Sequence, residues 1–390
     1  MVSDVKRTHI GQLHNLRNTV AFCAILMAPL LAQSARPRAR DIGITPGVFP
    51  PGALNAITDV EGVRVGHTTI VAGDAVRTGV TAVVPHGGNV FQDKVAGAVF
   101  VGNAFGKLAG STQVAELGTI ETPIVLTNTL SVGTAVDAVA RYTIAQPGNE
   151  QVRSVNPLVG ETNDGGLNDI RGFHVTREHV LAAIGSAKGG AVAEGAVGAG
   201  TGTVCYGWKG GIGTSSRKLE RTGYTVGVLA QTNFGGNLTI AGVPIYRTLQ
   251  PPSRRTAEAA RSDAFDRAAG DGSCMLVVAT DAPLDARDLH RLAARAVFGL
   301  GRTGSSYSNG SGDFAIAFST AAEMRSRFNE TAPRNRSVLP TDATSPLFEA
   351  ALEATEEAVY NSLFQATAVR SSIGAAEALP IDRVRELLRR

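Results

Sequence analysis

A layered α/β fold is predicted by three features of the sequence. Pro123–Thr127 reads as a buried strand and is followed, over 131–144, by apolar residues at helical spacing on Val132, Val136, Val139 and Ala140. The apolar run SCMLVVAT from Ser273 precedes an Arg- and Ala-rich helix from Asp285 to about Phe298, and then a strand at Asp313–Phe318. Strand-then-helix order is the signature of layered α/β architecture. The composition, 43% hydrophobic with 18% charged and only 5% aromatic residues, describes a globular core of Ala, Val, Ile and Leu. A chain of 390 residues exceeds the size at which one core usually stops growing, yet layered folds can hold it as one domain.

The elements follow in order. Residues 1–34 read as an export signal: Lys6, Arg7 and Arg17 precede the apolar run Val20–Ala32, with small residues at Ala32 and Ser34 and cleavage expected near Ser34. The run is interrupted by Pro29 and is shorter than the roughly 20 residues of a membrane span. An uncleaved anchor is the competing reading. Export to the periplasm is therefore expected, with no membrane attachment once the signal is removed. Loss of Lys6, Arg7, Arg17 and Asp4 lowers the formal charge from +3 to +1. Arg36, Arg38 and Arg40 read as a short tail, and the remaining Arg residues are scattered among acids, which gives no footing for a nucleic-acid partner.

Ile57 to His67 alternates like a half-buried strand with Gly breaks, and 79–84 and 97–102 are short strand candidates. Thr176 is placed to cap a helix reaching about Ser186, followed by a glycine-rich stretch from Gly189 to Gly213 and a strand at 224–230. Ser345-Pro346 starts a long amphipathic helix to about Ala366. The one convincing linker is 249–272, LQPPSRRTAEAARSDAFDRAAGDG, which divides the chain internally.

That linker ends at Asp271-Gly272-Ser273-Cys274, where a hydroxyl stands at the first residue of a buried strand. An ordinary Asp-Gly turn accounts for these residues taken alone. Cleavage between Gly272 and Ser273 would instead give Ser273 a free α-amine, with a reference pKa of about 7.7 to 8.0, so that one residue carries nucleophile and base. The products would be a large chain, 35–272, and a small chain, 273–390, expected to stay intertwined as one domain: two bands on a denaturing gel, one particle in solution.

Other hydrolase machinery is absent: no G-x-S-x-G surrounds Ser215, Ser306 or Ser311, and no H-E-x-x-H occurs. His67, His86, His174, His179 and His290 lack ligand spacing, so no metal site is expected. Cys205 and Cys274 make no disulfide framework, and Cys274 should face the core opposite Ser273. The run Gly207–Arg217 invites a phosphate-loop reading but lacks the order G-K-[ST], and Gly198, Gly200 and Gly202 miss the G-x-G-x-x-G spacing. A closely packed glycine loop is the preferred reading. Ser311 and Asp313 share a strand face and can orient the Ser273 amine or relay its proton. Asn233, after the 224–230 strand, can donate to an oxyanion. Glu161, among polar and glycine residues, suits a substrate ammonium.

These motifs together resemble the autoprocessing serine aminopeptidases that include L-aminopeptidase/D-amidase/D-esterase and the β-peptidyl aminopeptidases. The resemblance spans nearly the whole chain after residue 34 and rests on Ile57-Thr58-Asp59-Val60 with Val65-Gly66-His67, Arg77-Thr78-Gly79-Val80, Thr127-Asn128-Thr129-Leu130, Gly160-Glu161-Thr162-Asn163-Asp164, Lys209 to Arg217, Asn233-Phe234-Gly235, Gly272-Ser273 and Ser311-Gly312-Asp313. It implies a four-layer α/β/β/α sandwich of the ornithine-acetyltransferase-like, N-terminal-nucleophile type, activated by self-cleavage before Ser273, with no cofactor. Ser273 matches the nucleophile, Asn233 the oxyanion residue, Ser311 and Asp313 the supporting pair, and Glu161 the substrate-amine contact. The implied substrates are short peptides, amino acid amides and esters, including peptides of β-amino acids, hydrolysed through an acyl-enzyme. A homo-oligomer of cleaved protomers is also implied, a tetramer being one candidate size. L-aminopeptidase relatives carry a Tyr where this chain has Gly166, which leaves α- versus β-amino acid and D/L preference open. The rival readings are an amino acid acyltransferase on the same scaffold, which would carry Thr in place of Ser273, and a non-catalytic anion- or nucleotide-binding protein built on 189–213.

Overall fold

Two β-sheets face each other, and each is covered on its outer side by helices. The computed structural model of the chain describes residues 36–252 and 272–389. The expected export signal and most of the 249–272 linker lie outside these residues. Along the chain come β1 (Arg64–Ala72), β2 (Val76–Val84), β3 (Asp93–Ala104), β4 (Leu108–Ala109), α1 (Ser111–Leu117), β5 (Thr119–Ile120), β6 (Ile124–Asn128), α2 (Val132–Ile144), β7 (Leu158–Thr162) and α3 (Arg177–Gly185). Then follow β8 (Val204–Cys205), β9 (Trp208–Lys209), β10 (Ile212–Lys218), β11 (Thr225–Asn233), β12 (Ser273–Thr280), α4 (Ala286–Arg302), β13 (Gly312–Ser319), β14 (Ser326–Arg327), α5 (Ser345–Phe364) and α6 (Ile381–Leu388).

The first sheet has the order β1-β2-β6-β7-β4; the second runs β10-β11-β12-β13-β3-β14, with β5 beside β3. β6 and β7 pair in parallel, as do β12 and β13. Parallel neighbours need a crossover, and α2 and α4 supply it. Side chains alternate along β12 to build two cores at once. Met275, Val277 and Ala279 enter the layer between the sheets with Val83, Leu126, Leu158 and Ile316, while Cys274, Leu276 and Val278 face the helix layer of α4 and α5. On the far side α2 and α3 pack on Val80, Ala82, Val125 and Val159. Strands buried on both faces must be apolar at nearly every position, which is why SCMLVVAT carries no polar alternation. The architecture is the α/β/β/α sandwich expected from the sequence.

The helix ends follow their caps. Asp285 accepts the Asp288 N–H at 2.9 Å, and the Thr176 N–H donates to His179 Nδ1 at 3.1 Å. Three readings are corrected. Ile57 to Asp59 forms a 3-10 turn rather than the start of a strand, because the Asp59 carboxylate accepts the N–H groups of Leu54 and Ala56 and draws the chain into a turn. The helix from Ser345 is buried on nearly all sides instead of being amphipathic, its polar residues Glu353, Glu357 and Asn361 included. Arg36, Arg38 and Arg40 are not a loose tail. Arg36 donates to the carbonyls of Phe364 and Leu379 at 2.6 Å each, Arg38 to those of Asn55 and Thr214, and Arg40 pairs with Glu357 at 3.0 Å.

The buried carboxylates of α5 are balanced by Arg217, itself fully buried on β10, which lies 3.0 Å from Glu353 and 2.9 Å from Glu357. Removing one member of such a cluster strands the others in a medium of low dielectric constant. Arg217→Met is therefore expected to cost about 3–5 kcal/mol, read as a lowered denaturant midpoint; an unchanged midpoint would show that the cluster does not support the fold.

Candidate active site

Strand register brings four of the predicted residues to one end of the second sheet. Ser273, the first residue of β12, lies opposite Asn233, the last residue of β11, and on its other side opposite Gly312 at the start of β13. Ser311 and Asp313 flank Gly312, so serine, amide and acid sit on three adjacent strand ends. All four side chains are buried or nearly so. Cys274 points away into the helix-side core, as its position next to Ser273 requires.

Gly272 reaches this end of the sheet through close contact. A Cβ there would lie 2.1 Å from the Asn233 carbonyl oxygen and 2.5 Å from Phe234 Cα, so only glycine fits between β11 and β13. Steric room selects glycine here. The Gly272 carbonyl accepts the Gly312 N–H at 3.0 Å, which polarises the bond to Ser273.

The Ser311 hydroxyl donates to Asp313 Oδ1 at 2.9 Å, while Asp313 Oδ2 is buried with no hydrogen-bond partner among the described residues. Burial pushes the Asp313 carboxyl up to about 6, against the opposing pull of the Ser311 hydrogen bond. The loop that presents Ser311 is held by Asn103 on β3. Its Nδ2 donates to the carbonyls of Ser308, at 3.0 Å, and of Ser311. Sequence reasoning missed Asn103, since no local pattern announces a contact across more than 200 residues.

Asn233 is clamped from both sides. The Val204 N–H donates to its Oδ1 at 2.9 Å and its Nδ2 donates to the Asn163 carbonyl at 2.8 Å. The first contact fixes which end of the amide is oxygen, and the second leaves one Nδ2 hydrogen free to donate elsewhere. Glu161 stands on β7, in the opposite sheet. Its Oε1 accepts the Lys107 N–H at 3.0 Å, its Oε2 accepts the Thr129 hydroxyl, and the exposed Lys107 ammonium lies 3.5 Å away. The Gly106 backbone bridges it to the second sheet: a Cβ on Gly106 would lie 3.2 Å from Glu161 Oε1 and 3.3 Å from Gly312 Cα. The site thus lies where the ends of the two sheets meet. A Cβ on Gly166, three residues beyond Asn163, would meet nothing within 4 Å, so a side chain could start there without a clash.

The histidines have other partners. His67 Nδ1 lies 2.9 Å from Thr81 Oγ1, His86 Nε2 2.8 Å from the Asp93 carbonyl, His290 Nδ1 2.8 Å from the Val99 carbonyl and His174 Nε2 3.0 Å from Asp169. The glycine run is packed shut. A Cβ on Gly213 would lie 1.9 Å from the Ala358 carbonyl oxygen of α5, and Arg217 spends its guanidinium on carboxylates. It is a close helix–sheet contact and not an anion cradle.

Known proteins resemble this chain along most of its length. Residues 55–376 match the peptidase family S58. The chain is 44% identical, over 95% of its length and 97% of the relative's, to β-peptidyl aminopeptidase BapA of Sphingosinicella microcystinivorans. Among solved structures it is similar to a Burkholderia sp. β-aminopeptidase, with a TM-score of 0.80 and 39% identity over 90% of this chain and 98% of that one. It is likewise similar to the L-aminopeptidase D-Ala-esterase/amidase of Ochrobactrum anthropi, described as a variant of the Ntn hydrolase fold, with a TM-score of 0.82 and 36% identity over 91% and 98% of the two chains. The chain belongs to peptidase family S58.

Proposed function

We propose that the protein is a self-cleaving serine aminopeptidase that releases the N-terminal residue of short peptides, amino acid amides and esters, with peptides of β-amino acids among its substrates. The observation that carries this reading is the register that sets Ser273 between Asn233 and the Ser311–Asp313 pair, in a chain of this family. In the precursor, Ser273 Oγ attacks the Gly272 carbonyl carbon, the C–N bond breaks, and the nitrogen takes up the proton to become the Ser273 α-amine. Water then hydrolyses the resulting ester and leaves a Gly272 carboxylate.

In the cleaved enzyme Ser273 Oγ attacks the carbonyl of the substrate's first residue. The oxyanion accepts a hydrogen bond from the free Nδ2 hydrogen of Asn233, while the Ser273 hydroxyl proton passes to its own α-amine or to the Ser311–Asp313 pair and from there to the departing amine. Water resolves the acyl-enzyme. Glu161 grips the substrate ammonium, its buried oxygens already oriented by Thr129 and the Lys107 N–H. The relatives found are peptidases, which speaks for hydrolysis over acyl transfer. Assay of the purified protein against α- and β-amino acid dipeptides and amides tests the reading: release of the first residue is expected, and no release from any of them would refute it. Export to the periplasm and assembly into a homo-oligomer belong to the same reading; the N-terminal sequence of the exported protein and its mass in solution test them.

A pH profile tests the proton path. If the Ser311–Asp313 pair accepts the Ser273 proton, the acid must be ionised, so kcat/KM should rise as pH rises through about 6 and the limb should vanish in Asp313→Asn. A limb near the reference value of about 7.7 to 8.0 would assign the step to the Ser273 amine instead. The sign for stability is opposite. The folded chain holds this proton more tightly than the unfolded one, so the residue's contribution falls as pH rises from 3.8 to about 6.

A further inference from the structure

Lys209, at the end of β9, is fully buried, and the mechanism above gives it no task. Its Nζ donates to the carbonyls of Gly200 at 2.9 Å and Gly210 at 2.7 Å, with no carboxylate in hydrogen-bond reach among the described residues. A charge so placed is costly, and burial lowers the ammonium to about 7, partly offset by the fields of Cys205 and Asp164. Either form, ammonium or amine, has hydrogens for both carbonyls.

The two carbonyls belong to segments that meet behind Asn233. Gly200 O also accepts the Thr203 hydroxyl at 3.1 Å, and the Gly210 N–H donates to the Thr203 carbonyl at 3.3 Å. The next residue, Val204, sends its N–H to Asn233 Oδ1. On the other side, the Asn163 carbonyl that receives Asn233 Nδ2 adjoins Asp164, buried and bonded to Asn168 Nδ2 at 3.0 Å. The segments touch: a Cβ on Gly202 would lie 3.0 Å from Asp164 Cβ. Lys209 and Asp164 thus stand behind the two groups that clamp the amide.

We propose that Lys209 is a positioning residue: by tying the carbonyls of Gly200 and Gly210 together it holds the Val204 N–H on Asn233 Oδ1 and so aims Asn233 Nδ2 at the substrate carbonyl. This rests on the oxyanion role proposed above for Asn233. A sub-ångström drift of that donor weakens its bond to the transition state more than substrate binding, so the effect falls on kcat.

The test is a double-mutant cycle on the cleaved enzyme with Lys209→Met, Asn233→Ala and both together. Lys209→Met should lower kcat by about 10- to 100-fold, with KM little changed, and the double variant should be no slower than Asn233→Ala alone. Wild-type kcat in Lys209→Met, a change confined to KM, or additive losses in the double variant would overturn the proposal while leaving the oxyanion reading intact. Full kcat in Asn233→Ala would instead remove the reading and the proposal with it. Should Lys209→Met fail to accumulate as folded protein, Lys209→Gln, whose amide nitrogen sits one bond nearer the backbone and so cannot tie both carbonyls, enters the same cycle and is judged by the same outcomes.

Discussion

Ser273→Ala is expected to give an uncut chain with no peptidase activity. In the proposed mechanism the hydroxyl performs both attacks, on Gly272 in the precursor and on substrate afterwards, and its neighbours are not placed to substitute for it. Cys274 is fully buried and faces the helix-side core, where burial raises its thiol pKa far above the ordinary value. Ser311 is committed to Asp313 and enters from another strand. The fold should survive, since a single buried hydroxyl is lost at a strand end. A denaturing gel should show one band in place of two, with unchanged elution of the native particle. Processing of the alanine variant at Gly272 would require another nucleophile and would end the account.

Asn233→Ala is expected to lower kcat by roughly 10²- to 10³-fold with little change in KM, the loss found when one oxyanion donor is removed. The amide is held at both ends, by Val204 N–H and Asn163 O, so its remaining hydrogen is preorganised and no reorganisation is needed as charge develops. The substitution also leaves the Val204 N–H and the Asn163 carbonyl without their partner, so some destabilisation should accompany the rate loss. Steady-state kinetics separates the two effects. An unchanged kcat would remove Asn233 from the chemistry.

Much of the frame was legible because local signals and tertiary structure agree. The run from Cys274 to Ala279 is apolar at each residue since β12 is covered on both faces, and Asp285, Thr176 and Ser345-Pro346 mark helix starts by groups that act within a few residues. The misreadings share a cause: the deciding partner is distant in sequence. Alternation from Ile57 suggested a strand, but the Asp59 carboxylate turns the chain there, helped by Ser216, whose hydroxyl donates to it at 2.6 Å. The helix from Ser345 looked amphipathic because its glutamates look solvated until Arg217 is placed against them. Arg36, Arg38 and Arg40 looked like a tail for the same reason.

The site divides in the same way. Ser273, Ser311 and Asp313 stand out by turn chemistry at strand starts, and Glu161 by its setting. That Asn233 and Gly312 are the residues opposite Ser273 is a matter of register, which no single strand specifies. Asn103, which holds the Ser311 loop, and Lys209, read as part of a glycine loop, act through backbone carbonyls and leave no pattern in the sequence.

The central claim is that an internal serine becomes a new chain start and then does the chemistry. Intact mass of the active, purified protein, with N-terminal sequencing of its smaller fragment, tests it most directly. The account predicts two polypeptides, the smaller beginning Ser-Cys-Met-Leu at Ser273; full activity in one continuous chain would contradict it.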